Sequence, residues 1–86
     1  MPREIIMHYV YVMRGPKQFY IGYSSDLRKR FSSHGRGKSK STKNRGPWRL
    51  VYYEACVSKK DALMRERYLK TAWGKRYIKN RIKYSA

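Results

Sequence analysis

Two charged side chains lie on the apolar sides of predicted helices. Arg30 follows Leu27 by three residues and therefore points along or close to the apolar stripe of the first predicted helix. Glu66 lies three residues from both Leu63 and Leu69, within the inward stripe of the second. A carboxylate at such a position is costly unless it is paired with a base or holds a cation. The spacing leaves two interpretations open, which are a buried Arg30–Glu66 salt bridge and an active site.

Two tyrosines lie in neighbouring predicted strands. In a strand with a period of two, Tyr11 faces away from Val10 and Val12, and Tyr20 shares its face with Gly22. Pairing of the two strands as a hairpin can bring Tyr11 and Tyr20 side by side on one face. Their phenols would then be available for chemistry, although a strand tyrosine is more often part of ordinary core or cross-strand packing.

Hydrophobic periodicity and turn residues predict the elements that position these side chains. Short β-branched and aromatic runs predict three strands, and a Gly15-Pro16 turn signal joins the first two as a hairpin. Helical spacing predicts three helices. The predicted strands are Tyr9 to Met13, Phe19 to Tyr23 and Trp48 to Cys56. The predicted helices are a first one, capped by Ser24 or Ser25 with Asp26 in its first turn and ending at Gly35, a second from Lys59 to about Ala72 with Ala62, Leu63, Leu69 and Trp73 on one inward stripe, and a short third one within the tail from Gly74 to Ala86.

These elements predict one small domain of the α/β (α+β) class over residues 1–86. The order β-β-α-β-α-α predicts a three-stranded, mostly antiparallel sheet flanked by helices. The lone Cys56 can form no internal disulfide and leaves no cysteine framework for a structural zinc site. The fold must therefore depend on packed apolar and aromatic side chains, which are 41% and 15% of the 86 residues.

The charge distribution predicts an anionic partner. The formal net charge is +17, and no acid lies between Asp26 and Glu54 or after Glu66. Nucleic acid fits this better than a membrane surface, because nine tyrosines are scattered among the bases and no segment pairs a basic face with a purely apolar one. No apolar run approaches the length of a membrane span, and the start of the chain does not resemble a signal peptide, so we expect a cytoplasmic protein.

One segment, Gly35 to Gly46, contains glycines, serines and bases but no apolar residue, and is predicted to be a loop. A solvated charge run is the usual interpretation of such a loop. We nevertheless expect the basic stretch from Lys38 to Arg49 to follow a DNA or RNA backbone. The predicted nucleic-acid-binding residues are Lys29, Arg36, Lys38, Lys40, Lys43 and Arg45.

The chain resembles the GIY-YIG endonucleases, and among them the small standalone bacterial members related to the amino-terminal nuclease domain of the excision-repair protein UvrC. Tyr9-Val10-Tyr11 stands where the GIY triplet is expected, and Tyr20-Ile21-Gly22 is an intact YIG triplet. The similarity continues, in the expected order, through the segments 23–34, 46–54 and 62–70. It thus covers nearly the whole chain, whereas a three-letter match alone would be weak.

The resemblance implies a role for each candidate residue. Tyr11 and Tyr20 are the two motif tyrosines, Arg30 is the helix arginine and Glu66 is the metal-binding glutamate. His34, one helical turn beyond Arg30, is a candidate for contact with the scissile phosphate or for a proton relay, and a helix-end histidine interacting with the helix dipole is an equal alternative. Asn80 is a candidate counterpart of an asparagine that some members carry further along.

Two positions depart from the family pattern. Tyr9 replaces the first glycine of GIY, a replacement common in the standalone branch. Tyr23 stands where the UvrC branch has a lysine, so any positive charge which that lysine supplies must come from elsewhere, such as Lys29 or the loop lysines.

The resemblance implies metal-dependent hydrolysis of phosphodiester bonds, with Mg²⁺ or Mn²⁺ held by Glu66. Arg30 would bind the non-bridging phosphate oxygens. Tyr11 is expected to orient or deprotonate the attacking water with Tyr20 in support, and a role as general base requires that nearby cations lower its pKa. We expect DNA rather than RNA as substrate, a role in repair or processing, and a monomer or weak dimer. The alternative is a non-catalytic, basic nucleic-acid-binding module with a degenerate nuclease site.

Overall fold

In a computed structural model, which describes residues 5–30 and 48–84, three antiparallel strands form one sheet. Strand β1 (His8–Arg14) lies in the centre, between β2 (Phe19–Ser24) and β3 (Arg49–Cys56). A first helix, α1, begins at Leu27, and its described part is the turn 27–30. Helices α2 (Lys59–Leu69) and α3 (Ala72–Arg81) follow β3. The predicted order of elements and the predicted α+β class are confirmed.

Part of the predicted binding surface lies outside the described residues. This applies to the second half of the first predicted helix and to the whole Gly35 to Gly46 loop. The candidate residues concerned are His34, Arg36, Lys38, Lys40, Lys43 and Arg45.

The two faces of the sheet carry different side chains because alternate residues of a strand point in opposite directions. Val10, Val12 and Ile21 lie on one face, where they pack with apolar residues of α2 and α3. We call this the helix face. Tyr11 and Met13 lie on the other, the tyrosine face, where Trp48 completes a second cluster.

An irregularity in the pairing of β1 with β3 changes the face on which one side chain lies. Val12 pairs with Tyr52, but Met13 pairs with Leu50, so the register shifts by one residue between them. Strict alternation would place Leu50 on the same face as Tyr52. The bulge instead turns Leu50 to the tyrosine face, where it packs with the cluster of Tyr11, Met13 and Trp48.

Helix α2 ends earlier than its apolar spacing predicts. It ends at Leu69 rather than near Ala72, because Thr71 caps a new helix: its Oγ1 accepts a hydrogen bond from the Gly74 N–H at 3.1 Å. The chain changes direction there, so Trp73 does not continue the inward stripe and is 69% exposed. Leu63 was also predicted to be inward and is 38% exposed, whereas Ala62 and Leu69 are buried as predicted.

A charged network joins α2 to the sheet on the helix face. Arg65, which the helical pattern places outside, donates Nε and Nη2 to the two carboxylate oxygens of Glu54 at 2.8 and 3.0 Å. The Tyr52 hydroxyl donates to the same carboxylate at 2.8 Å. Burial by itself would raise the pKa of Glu54, but these hydrogen bonds and the charges of Arg65 and Arg81 outweigh it and hold that pKa below its usual value.

This network predicts a loss of stability in acid. Because the pKa of Glu54 is lower in the folded state, its contribution is fully present above the ordinary value of 4.5 and is lost as the pH falls through the folded-state pKa. We expect Glu54→Gln to lower the free energy of unfolding at neutral pH by about 1–2 kcal/mol, because a charge-assisted hydrogen-bond pair is weakened. Urea unfolding of both proteins from pH 3 to 7 should show the difference shrinking in acid, and a constant difference would contradict this assignment.

Candidate active site on the tyrosine face

The two tyrosines of the motif lie side by side. In the hairpin register Tyr11 is opposite Gly22 and Met13 is opposite Tyr20, which places both phenols on the tyrosine face. Their ring centroids are 6.3 Å apart with the planes tilted by 33°. The rings of Trp48 and Tyr20 meet edge to face at a centroid distance of 6.0 Å. Central strand β1 and edge strand β2 thus bring together two residues that are nine positions apart.

The backbone of Gly22 makes room for the Tyr11 phenol. A Cβ atom at residue 22 would lie 2.5 Å from the Tyr11 hydroxyl oxygen and 2.6 Å from Cζ, well inside van der Waals contact. The phenol therefore lies directly over the backbone of edge strand β2, and Tyr11 is only 2% exposed. A glycine within a strand marks either a β-bulge or a close approach of other atoms to the backbone. The glycine of the YIG triplet is required for close approach of a side chain.

The charges of Arg30 and Glu66 both act on the Tyr11 hydroxyl. Burial makes the largest contribution to its pKa and raises it, and the neighbouring Tyr20 and Glu66 raise it further, whereas the Arg30 charge lowers it. The net effect is a pKa well above that of a free tyrosine, so Tyr11 is a neutral phenol at physiological pH. Burial therefore outweighs the cationic field in the protein without metal, and the lowered pKa that a general base requires is not found.

Arg30 and Glu66 do not form the salt bridge that their spacing allows. The ion pairs within residues 5–30 and 48–84 join Arg65 to Glu54 and Lys70 to Glu66, and Arg30 takes part in neither. Glu66 Oε2 accepts from Lys70 Nζ at 3.1 Å, one turn along α2. Arg30 is exposed, so its charge is available to an anion from solvent.

Helix α1 begins beside an open cleft of about 400 Å³, whose lining includes Lys29 and Arg30. Asp26 caps this helix, because its Oδ1 accepts from the Lys29 N–H at 3.1 Å. The Ser24 hydroxyl in turn accepts from the Asp26 N–H at 2.9 Å and holds the entry to the helix. The chain between β2 and α1 is therefore ordered by local hydrogen bonds that direct Lys29 and Arg30 to one cleft.

Glu66 is the carboxylate that could hold a divalent cation near the tyrosine pair. The described part of the chain contains no group of three or more His, Cys, Asp or Glu side chains that could hold a metal ion, so Glu66 would be one of at most two such ligands there. Mg²⁺ is commonly held by one or two carboxylates while it keeps several waters and binds a substrate phosphate. The Glu66 side chain is 20% exposed, which leaves access from solvent. The site thus fits Mg²⁺ provided that the Lys70 ammonium moves aside.

Two other motif positions lie away from the tyrosine pair. Tyr23, at the position where the UvrC branch has a lysine, lies on the helix face, where its hydroxyl contacts His8 Nδ1 at 2.8 Å. It therefore does not replace that lysine next to Tyr11. Asn80 is exposed on α3, and within residues 5–30 and 48–84 no described contact joins it to either tyrosine.

The sequence interpretation missed the partner of Glu66. A glutamate followed four residues later by a lysine is a standard helical ion pair, so the signal was present in the spacing of Glu66 and Lys70. It also missed the contact of Tyr9 with Tyr53, whose rings meet edge to face at 5.9 Å on the tyrosine face. Only the cross-strand register reveals that contact.

Comparisons with known proteins match the chain to one family. Residues 7–82 match the model of the GIY-YIG catalytic domain. The UPF0213 protein CPE1444 of Clostridium perfringens is 39% identical over 66 residues, which are 74% of this chain and 71% of that protein. The UPF0213 protein SSP2268 of Staphylococcus saprophyticus is 41% identical over 66 residues, 74% of this chain and 80% of that protein.

A solved structure supports the same assignment. The solution NMR structure of the UPF0213 protein BH0048 from Bacillus halodurans is 36% identical in sequence and has a TM-score of 0.54. The similarity covers 84% of this chain and 81% of that protein. The chain therefore belongs to the GIY-YIG family, and its relatives there are small UPF0213 proteins.

Proposed function

We propose that this protein is a divalent-metal-dependent endonuclease that hydrolyses phosphodiester bonds in nucleic acid, with DNA as the expected substrate. One observation supports this above all: the ring of Tyr20 and the charges of Arg30 and Glu66 all act on the Tyr11 phenol. These residues come from four different elements of a GIY-YIG catalytic domain. Packing alone gives no reason for this convergence.

Arg30 is the residue that binds the scissile phosphate. Its planar guanidinium can donate two parallel hydrogen bonds to non-bridging oxygens, where negative charge increases in the transition state. No carboxylate of the described residues pairs with it, so its charge is available to the substrate. The neighbouring Lys29 lines the same cleft and adds positive charge.

Tyr11 acts as a neutral hydroxyl that positions the attacking water, with Tyr20 beside it. Its raised pKa in the metal-free protein is that of a phenol that carries its proton at physiological pH, which favours orientation of the water by hydrogen bonding. Glu66 holds the divalent ion, which supplies Lewis-acid stabilisation of the phosphate and of the leaving oxygen when bound.

Replacing Gly22 by alanine tests the position of the Tyr11 hydroxyl. The new Cβ would displace the phenol, and we expect cleavage to fall by about 10²-fold, since a displacement of 1 Å can have that effect. Overpacking should also lower the free energy of unfolding by about 1–3 kcal/mol. Cleavage per folded molecule and thermal unfolding are the measurements.

Gly74→Ala is the matched control for this substitution. A Cβ at residue 74 would meet the backbone of Tyr68 and Leu69, so the control is also destabilised, but at the junction of α2 and α3. It should keep its cleavage rate per folded molecule. Equal rates in both variants would show that the close approach of Tyr11 to Gly22 serves packing alone.

A binding module without catalysis is the second candidate, and the ion pair of Lys70 with Glu66 favours it. In that case Glu66 has its charge neutralised within the protein and binds no metal. The net charge of +17 would still attract nucleic acid. This candidate does not explain why Tyr20 and the charges of Arg30 and Glu66 all act on the Tyr11 phenol.

The two candidates are distinguished by incubating the protein with labelled single-stranded, duplex and branched DNA and with RNA of the same sequences. Each is tested with Mg²⁺, with Mn²⁺ and with a chelator. We expect metal-dependent cleavage of at least one DNA, and weaker or no cleavage of RNA. Binding of all substrates without cleavage of any would support the binding module instead.

Several expectations stay predictions. These are the choice of DNA, a role in repair or processing, a monomer or weak dimer, and a cytoplasmic location. The contribution of the basic loop to binding also stays a prediction. Within the described residues, each helix is too short or too polar to cross a lipid bilayer.

A further inference from the structure

A second basic cleft lies on the helix face, between the hairpin and α3. Its volume is about 330 Å³. Arg14 and Lys17 line it from the hairpin, and Lys75 and Lys79 line it from the exposed side of α3. Phe19 and Ile78 form an apolar part of its wall. The cleft therefore combines a hydrophobic surface with four cationic side chains from three segments of the chain.

No carboxylate of residues 5–30 and 48–84 neutralises this cleft. Its lining contains no acid, and within the described residues the ion pairs use the other bases Arg65 and Lys70. Four like charges that face one cleft repel one another, so a bound anion would relieve an unfavourable interaction. Arg14 is also held in place, because its guanidinium lies 4.9 Å from the centre of the Phe19 ring.

The cleft and the tyrosine pair adjoin the same edge strand from opposite faces. Strand β2 contributes Phe19 and Ile21 to the cleft, and it contributes Tyr20 and Gly22 to the tyrosine face. It pairs only with β1, so its other edge is not covered by a strand of the described sheet. A chain that crosses this edge can contact both sites.

We propose that the cleft binds phosphate groups of the same nucleic-acid strand that is cleaved at the tyrosine face, so that the strand crosses the edge of β2. The proposal rests on the proposed nuclease function for the identity of the ligand. A phosphodiester backbone suits the cleft because several cations in a row match its repeating charge. Sequence readout is not expected, since lysine ammonium groups contact phosphates as point charges.

The test removes two of the charges. Lys75→Gln with Lys79→Gln neutralises the α3 side of the cleft, and Lys59→Gln with Lys60→Gln makes the same charge change at exposed positions outside it. Affinity for labelled single-stranded DNA is measured as a function of salt in the presence of a chelator, so that no cleavage occurs. The slope of log K against log salt should fall by about 0.7 for each phosphate that the first variant no longer binds. The control variant should keep the wild-type slope.

Strand length gives a second, independent readout. The difference between the two variants should disappear with oligonucleotides too short to reach from the tyrosine face around β2. In the wild type, the amide NMR signals of Phe19 and Ile78 should shift with the long strand and not with the short one. Equal slopes in the two variants, or shifts at Phe19 and Ile78 with strands of every length, would overturn the proposal.

Two further measurements show whether the cleft takes part in cleavage and whether its ligand is nucleic acid or protein. The cleavage rate at saturating DNA should be unchanged in the variant of Lys75 and Lys79, because the cleft holds no catalytic residue. A protein that binds DNA through the cleft but cleaves no substrate refutes the nuclease function and leaves the cleft as a nucleic-acid site. Preferential binding of an acidic peptide, with no effect of the variant on DNA affinity, would show that the cleft serves a protein partner and would refute the proposal.

Discussion

Replacing Glu66 by glutamine is expected to abolish cleavage while nucleic-acid binding stays nearly intact. A divalent ion contributes several kcal/mol of transition-state stabilisation, so loss of its carboxylate ligand should lower the rate by about 10³-fold or more. Binding depends on the many lysines and arginines, and removal of one negative charge does not weaken it. Single-turnover cleavage and binding in chelator, each measured for the wild type and for Glu66→Gln, give the two quantities.

Glu54→Gln is the matched control for this variant. It also neutralises a partly buried carboxylate that pairs with a base of α2, but Glu54 belongs to the network on the helix face. The control should lose stability and keep its cleavage rate per folded molecule. If Glu66→Gln behaved in the same way, the ion pair with Lys70 would be the whole role of Glu66, and the assignment of a metal would be wrong.

Tyr11→Phe is expected to lower the rate of cleavage by about 10²-fold, with a smaller loss for Tyr20→Phe. The substitution removes only the hydroxyl and keeps the buried ring, so the packing against Gly22 and Tyr20 is retained. The charges of Arg30 and Glu66 both act on the Tyr11 hydroxyl, and loss of a group that positions the attacking water has a large effect. Each Tyr→Phe variant is the control for the other.

The pH profile distinguishes positioning from proton transfer. Burial raises the pKa of Tyr11. The cleavage rate of the wild type, plotted against pH, should therefore show no titration of this phenol below the pKa of free tyrosine. Any rise of rate with pH should therefore persist in Tyr11→Phe at a lower overall rate. A limb that vanishes in Tyr11→Phe would make Tyr11 the general base, and one that vanishes only in Tyr20→Phe would give that role to Tyr20.

Local patterns in the sequence were sufficient for the order of the elements and for the tyrosine pair. Alternation along Tyr9 to Met13 and Phe19 to Tyr23 predicts which side chains share a face, because successive side chains of a strand point to opposite faces of the sheet. A hairpin can then bring Tyr11 and Tyr20 together, and their ring centroids lie 6.3 Å apart. The Ser58 cap of α2 is equally local, since its hydroxyl accepts from the Asp61 N–H.

Hydrophobic periodicity gave wrong predictions where a strand or helix is interrupted, because the interruption changes the direction of the side chains that follow. The bulge opposite Val12 and Met13 turns Leu50 to the tyrosine face, and the Thr71 cap ends the stripe that Trp73 would have continued. Both breaks depend on which backbone groups find partners. A hydrophobic pattern contains no information about a single residue that is out of register.

The pairing of Arg65 with Glu54 and the protonation of Tyr11 depend on the tertiary structure. The spacing allowed a pair of Arg30 with Glu66, yet Glu66 pairs with Lys70, and Arg65 turns inward to Glu54. A general-base role for Tyr11 required that nearby cations lower its pKa, yet burial raises it. Residue types and spacing determine which groups are near one another along a helix or strand. Desolvation and Coulomb energies depend on distances between elements and on the exclusion of water, which exist only once the chain has packed.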